Sequence, residues 1–488
     1  MNEILKTLKP EKIWFYFGEV LAIARPSKKE EKIRAYLVNF GKQLGLETHE
    51  DATGNVLIRK KASKGYENCK PLTLQSHMDM VCEKNSTSKH NFDTDPIEVK
   101  IEDGWLKAID TTLGADNGIG VAMELAILAS DDIDHGPLEC LFTVDEETGL
   151  TGAFGLEPDF LQGEILLNLD SEDDGQFFIG CAGGIDTVIK LPYRYEASPK
   201  GNIKGFRLKI SGLKGGHSGD DINKGLGNAN KLLNRFLWEW TPSLRLRLHA
   251  FNGGNLRNAI AREAFADVVI EAQHTNALTD AVHAFEKVIQ NELKATESGL
   301  VFTCEPINTP STVLSIEKQL ALQNALYACP HGVIRMSAEI PNFVETSTNL
   351  AAVKMENDHI LITTSQRSSV TSAKFDVAHQ LAACFNLIGA EVEHGEGYPG
   401  WNPNPNSEIL AIIEDAFRKR FHQEPLALAI HAGLECGLFE EKYPGLDMVS
   451  YGPTMRGVHS PDERLEIATV ERFWDLTLDI LKRIPTKK

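Results

Sequence analysis

Ser76-His77-Met78-Asp79 follows directly on the apolar run Pro71-Leu72-Thr73-Leu74-Gln75. The run Leu138-Glu139-Cys140-Leu141-Phe142-Thr143 leads into Asp145-Glu146-Glu147-Thr148-Gly149, and Glu164-Ile165-Leu166-Leu167-Asn168-Leu169 leads into Asp170-Ser171-Glu172. A further acid, Asp116, lies in Thr112-Leu113-Gly114-Ala115-Asp116-Asn117-Gly118, at the mouth of an apolar stretch that runs to Leu128. A second histidine, His459, lies in Gly457-Val458-His459-Ser460-Pro461. Carboxylates crowded together repel one another, and they are protonated or destabilising unless a cation neutralises them. A mixed set of imidazole and carboxylate donors suits zinc, and manganese or cobalt can use the same set.

The elements that carry these residues argue that they meet. Each apolar run has strand length, and helical stretches lie between and around them, which is the α/β pattern. In open α/β sheets ligands bind at the carboxyl ends of the strands. Taken singly, each residue has an ordinary explanation. His-x-Asp is a common surface pair, Asp116 could cap its helix, Glu146-Glu147 could be a solvated face, and His459 a loop residue before Ser-Pro. Five ordinary loop residues nevertheless have no reason to fall at the ends of successive strands.

At 488 residues the chain calls for two or three domains. Residues 1–184 read as the first part of an α/β domain. From 185 to 395 longer alternating strands, such as Phe206–Ile210 and Leu244–Leu248, pair with helices near 224–238 and 276–297. A second pass of helix, strand and helix follows, so this part reads as an inserted α+β domain of two similar halves without a visible repeat. The segment Tyr398-Pro399-Gly400-Trp401-Asn402-Pro403-Asn404-Pro405 reads as a rigid linker, and 396–488 as a return to the first domain. The formal net charge of −19, with no basic stripe, argues against nucleic acid and against an anionic membrane surface. No window approaches a membrane span, and the charged N-terminus lacks a secretory pattern. Eight scattered cysteines without a C-x-x-C pair read as reduced thiols, so a cytoplasmic location is expected.

The segments at 76–80, 112–118, 146–149 and 457–459 together resemble the co-catalytic zinc peptidases, the family that includes carboxypeptidase G, acetylornithine deacetylase and the carnosinases. Further matches lie in Leu213-Lys214-Gly215-Gly216-His217-Ser218-Gly219, in Asn252 to Ile260 and in His431-Ala432-Gly433-Leu434-Glu435-Cys436-Gly437. The likeness covers nearly the whole chain. Its one small departure is Asn258-Ala259-Ile260-Ala261-Arg262, where relatives tend to carry proline before the arginine.

The resemblance implies a catalytic domain with a central mixed sheet flanked by helices, plus an inserted lid that also serves dimerisation. It implies two divalent metal ions bridged by Asp116, with His77 and Asp170 completing one ligand set and Glu147 and His459 the other. Asp79 orients His77, and Glu146 is the general base that takes a proton from metal-activated water and passes it to the leaving amine. His217 donates to the carbonyl oxygen, in this family often across a dimer interface. Arg367 holds the substrate's carboxylate, Asn258 hydrogen-bonds the substrate, and Glu435 faces its amino group or an imidazole side chain. The activity implied is cleavage of dipeptides with a free N-terminus, Xaa-His dipeptides included, by a homodimer. An N-acyl amino acid deacylase, a tripeptidase and a non-catalytic metal-binding protein are the alternatives. An unligated base at Glu146 argues against the last.

Overall fold

Strands too apolar to leave a face in water must be covered on both sides, and the three apolar runs are. Every residue of Leu72–His77, Leu138–Thr143 and Ile165–Asn168 is buried. They lie at the centre of an eight-stranded sheet in the computed structural model, which describes residues 3–487. The sheet runs Glu47–Glu50, Val56–Lys60, Leu138–Thr143, Leu72–His77, Ile165–Asn168, Asp447–Ser450, Gln176–Cys181 and Leu426–Ile430. The middle four strands are parallel, with antiparallel partners further out. The register sets His77 opposite Thr143 and Gln75 opposite Asn168. Met78-Asp79, Val144 to Glu147 and Leu169-Asp170 therefore leave the sheet at one edge.

The chain divides into two units. One comprises the residues up to Gly180, Pro403–Ala429 and those from Glu435 onward; the other comprises Cys181–Asn402 and Ile430–Leu434. In the first unit, helix Glu11–Leu21 buries Ile13, Trp14, Phe17, Val20 and Leu21, the spacing of one apolar stripe. Helix Ala115–Leu128 is buried at every residue from Asn117 on and has no solvent face. Helix Ile467–Arg483 buries Val470, Phe473, Leu476, Ile480 and Leu481.

The second unit is a nine-stranded antiparallel sheet. One half holds Ile203–Ser211, Arg247–Gly253, Ala264–Glu271 and Val301–Ile307, with helices Ala229–Leu244 and Thr275–Glu292. The other holds Gly183–Pro192, Gly332–Met336, Val344–Met355, His359–Ser368 and Glu391–His394, with helices Ile316–Ala328 and Thr371–Asn386. The halves join through one registered pair, Gly253 with Val353. Phe236, Phe285, Phe302, Leu322 and Phe385 share their core, each such side chain contributing about 1.5–3 kcal/mol by burial. One element differs from expectation. Leu244 ends a helix, Arg245 adopts a left-handed conformation (φ 51°), and the strand starts only at Arg247. Leu244, Leu246 and Leu248 are all buried, so their alternation is the same across a helix end as along a strand.

Candidate metal centre and active site

Asp116 opens the apolar helix without capping it. Its backbone (φ −79°, ψ 112°) is not helical, and its carboxylate turns toward two imidazoles. Oδ1 lies 3.0 Å from His77 Nε2 and Oδ2 lies 3.1 Å from His459 Nε2. Asp170 Oδ1 stands 3.4 Å from His77 Nε2, and Glu147 Oε2 stands 2.9 Å from His459 Nε2. Donor atoms of His77, Asp116 and Asp170 lie within 4.8 Å of one another, and so do those of Asp116, Glu147 and His459. Asn117 Nδ2 donates to Asp170 Oδ1 at 2.7 Å, while Glu147 Oε1 is buried with no hydrogen-bond partner.

Around this pair the strand ends fix the orientations. His77 Nδ1 lies 3.2 Å from Asp79 Oδ1, which leaves Nε2 directed at Asp116. Asp79 is itself held by Ser27 Oγ (2.8 Å) and by the backbone N–H groups of Glu146 (3.1 Å) and Glu147 (3.3 Å). The carboxylate that orients the histidine thus also positions the Glu146-Glu147 turn. That turn begins at Asp145, a left-handed residue (φ 50°) whose carboxylate accepts from Thr148 and Thr151. His459 is left-handed as well (φ 61°). Such conformations are uncommon outside glycine and concentrate at functional sites.

The charge balance follows from the crowding. Burial alone would raise the Asp116 carboxyl, but hydrogen bonds from His459 and His77 hold it well below the ordinary range. Hydrogen bonds to Asp116 and Glu147 push His459 up to about 11. Burial works against a proton on His77, yet Asp170, Asp116 and Asp79 outweigh it and raise that ring well above its ordinary value. Burial raises Asp170 and Glu147. It also raises Glu146 strongly, with Asp170, Glu147 and Glu435 adding to the effect. Imidazolium protons are how so many carboxylates are balanced in the absence of divalent cations.

The second unit gathers a different set. His217 Nδ1 accepts from the N–H groups of Gly219 (3.3 Å) and Asp220 (3.2 Å). In the neutral ring the hydrogen is then on Nε2, which is left as a donor. Arg367 is only 8% exposed, and among the described residues no carboxylate lies within ion-pair distance of it. Its side-chain hydrogen-bond partners are neutral: Nη1 donates to Tyr398 Oη at 3.1 Å and Nε to Ser218 Oγ at 3.4 Å. Asn258 is exposed on the turn 256–259, and its carbonyl accepts from Ser218 N at 2.8 Å. His431, the first residue of the His-Ala-Gly-Leu-Glu segment, belongs to this unit, where its Nε2 lies 2.7 Å from Ser347 Oγ.

Comparison with known protein families matches residues 73–483 to "Peptidase family M20/M25/M40". The chain belongs to this family. It is 44% identical over 483 residues to the cytosol non-specific dipeptidase of Escherichia coli (strain K12), a match covering 99% of each chain. It superposes with a TM-score of 0.93 on the crystal structure of aminoacylhistidine dipeptidase from Vibrio alginolyticus, at 45% identity and 99% coverage of both chains. Aminopeptidase PepT from Bacillus cereus shares the fold at 16% identity, with a TM-score of 0.62 and 98% of this chain covered.

In this M20/M25/M40 chain Glu435 has no exposure to solvent. It is fully buried at the head of helix Cys436–Lys442, whose residues Cys436 to Phe439 pack inside. Its Oε2 accepts from Gln75 Nε2 (2.6 Å), two strand positions before His77, and from Thr143 Oγ1 (2.8 Å), level with His77 in the sheet register. Burial pushes its carboxyl up to about 8. A carboxyl raised by folding stabilises the fold fully below the ordinary 4.5, and that contribution is lost as pH rises through about 8. Metal-free protein is therefore expected to lose thermal stability between about pH 5 and pH 8. Glu435→Gln, which keeps an acceptor for Gln75 and Thr143, should flatten that dependence. Parallel melting-temperature profiles for the two proteins would refute the assignment. Gln75, Thr143, Asn117 and Tyr398 were not identifiable from the sequence as supporting residues, because polar side chains inside strands, helix starts and linkers carry no spacing signal.

Proposed function

We propose that this chain is a metal-dependent dipeptidase that hydrolyses dipeptides with a free N-terminus, Xaa-His dipeptides among them. The observation that carries the reading is Asp116, with one carboxylate oxygen toward each of two imidazoles and a second carboxylate beside each imidazole. These donors fit two divalent cations, with His77 and Asp170 on one side, Glu147 and His459 on the other, and Asp116 shared. Zinc is the metal that best suits the set, and cobalt or manganese can use it. Bound there, the cations supply the positive charge that acidifies water and polarises the peptide carbonyl.

The chain's own groups do the rest. Asp79 keeps His77 turned with Nε2 inward. Glu146 takes the proton of the attacking water and delivers it to the amine nitrogen as the C–N bond breaks. His217 offers Nε2–H to the carbonyl oxygen as negative charge grows there. Arg367, a buried cation with neutral hydrogen-bond partners, takes the substrate's carboxylate, and Asn258 hydrogen-bonds the substrate. The dipeptide class is supported by the names of the Escherichia coli and Vibrio alginolyticus relatives. A cytoplasmic location, a homodimer and a lid and dimerisation role for the inserted region also belong to this reading. They rest on the family likeness and on the word cytosol in the bacterial relative's name. No helix of the described residues is long and apolar enough to cross a membrane.

The test is a panel of β-Ala-His, Gly-His, Leu-Gly, a tripeptide and an N-acetyl amino acid, with metal-loaded and chelated protein. Cleavage of the free-amine dipeptides, lost on chelation and restored by zinc, is expected. Cleavage of the N-acetyl compound alone moves the chain to the deacylases. On the same panel Arg367→Met should raise KM for Gly-His roughly 10- to 100-fold, as expected for losing a hydrogen-bonded charge pair. An unchanged KM would remove Arg367 from the substrate site.

A further inference from the structure

Two buried charges outside the proposed ligand set hold the segments that carry it. Arg25 is 2% exposed, and its guanidinium meets only backbone oxygens: Nη1 donates to the carbonyls of Met78 (3.2 Å) and Asp79 (2.5 Å), and Nη2 to that of Gly114. Glu463 is also 2% exposed. Its Oε2 accepts from the N–H groups of Leu113 (2.7 Å) and Gly114 (3.0 Å), and its Oε1 from that of Ala115 (2.8 Å). The turn 113–115 is thus gripped by a cation on its carbonyl side and by an anion on its amide side. Successive amides around a carboxylate form an anion nest, and a buried guanidinium is tolerated only when its donors are used. Space for it is also written into the chain. A Cβ on Gly114 or on Gly118 would stand 2.6 Å from Arg25 Nη2.

We propose that Arg25 and Glu463 are positioning residues that set the distances between the bridging Asp116 and the two histidines. This rests on the reading of the site as a two-metal centre. Arg25 ties the Asp116 turn to Met78-Asp79, the residues that follow His77. Glu463 ties the same turn to the loop of His459, four residues earlier in the chain, and that loop is closed by the Glu463 N–H on Ser460 O at 3.0 Å. Besides the turn they share, each charge therefore holds the segment of one histidine. A general fold stabiliser would weaken both sides alike.

The experiment measures the two dissociation constants of cobalt(II) for the metal-free full chain by chelator competition, together with the visible spectrum of the cobalt-loaded protein. Wild type is expected to bind two equivalents. Glu463→Gln should weaken one of them roughly 10- to 100-fold, the range for residues that orient metal ligands, and alter its band. In a His459→Ala background Glu463→Gln should add no further loss, whereas Arg25→Lys should still weaken the remaining equivalent. Should Glu463→Gln fail to fold, Glu463→Asp keeps the charge but withdraws it from the amides, and Gly118→Ala presses on Arg25 from the other side. Wild-type affinities and spectrum in folded variants overturn the positioning role while leaving the two-metal reading intact. Fewer than two equivalents in wild type overturns that reading first.

Discussion

Glu146→Gln is expected to lower kcat for dipeptides by roughly 10²–10⁴-fold, the usual contribution of a general base, while two metal equivalents and KM are retained. The glutamine is isosteric, and the backbone N–H of residue 146 can still donate to Asp79, so the turn that carries Glu147 has no reason to move. What is lost is an oxygen that can accept a proton and return it. In the metal-free chain burial raises the Glu146 carboxyl, with His77 opposing the rise and Asp170, Glu147 and Glu435 adding to it. Metal content by atomic absorption separates this result from collapse of the site. A kcat within tenfold of wild type, with both metals present, would place the base elsewhere.

Asp116→Ala is expected to act on binding and turnover together. Its two oxygens serve two imidazoles, so the substitution takes one donor from each side and the negative charge that holds the sides together. The protein should retain at most one metal equivalent, and activity should fall by roughly 10³-fold or more, because the charge that acidifies water depends on both cations. Without cations the variant also leaves His77 and His459 without their shared counter-ion. Their rings then hold protons less firmly, and the stability those protons supply below the raised pKa values shrinks. Below pH 7 the melting temperature of the metal-free variant should accordingly fall further than that of Glu146→Gln. Two tightly bound metals in Asp116→Ala would exclude a bridging role.

Much of the candidate site was legible in the residues because a strand end is a local feature. His77, Glu146-Glu147 and Asp170 each follow an apolar run, and parallel strands bring their carboxyl ends to one edge whatever the rest of the chain does. Asp116 and His459 could be named as candidate donors from their residue types and placement, and the family pattern then implied their roles. Their distances to each other across 343 residues came only from the folded chain. Glu435 shows the opposite case. A glutamate in a family motif is expected to face a substrate, and only the folded chain shows it buried at the head of a helix and hydrogen-bonded to Gln75 and Thr143.

Arg25 and Glu463 mark the same boundary. In sequence they are an arginine between Ala24 and Pro26 and a glutamate in a charged loop, indistinguishable from solvated residues. Their hydrogen bonds go to backbone groups, which every residue possesses, so no residue type at the other end of the contact betrays them. The residue types of the metal set, their strand-end placement and the α/β class are determined by the sequence, because they depend on short-range patterning and donor chemistry. Which carboxylate faces solvent, which is buried and which buried charge holds which turn were decided by tertiary structure, because burial and backbone contacts are properties of the packed chain.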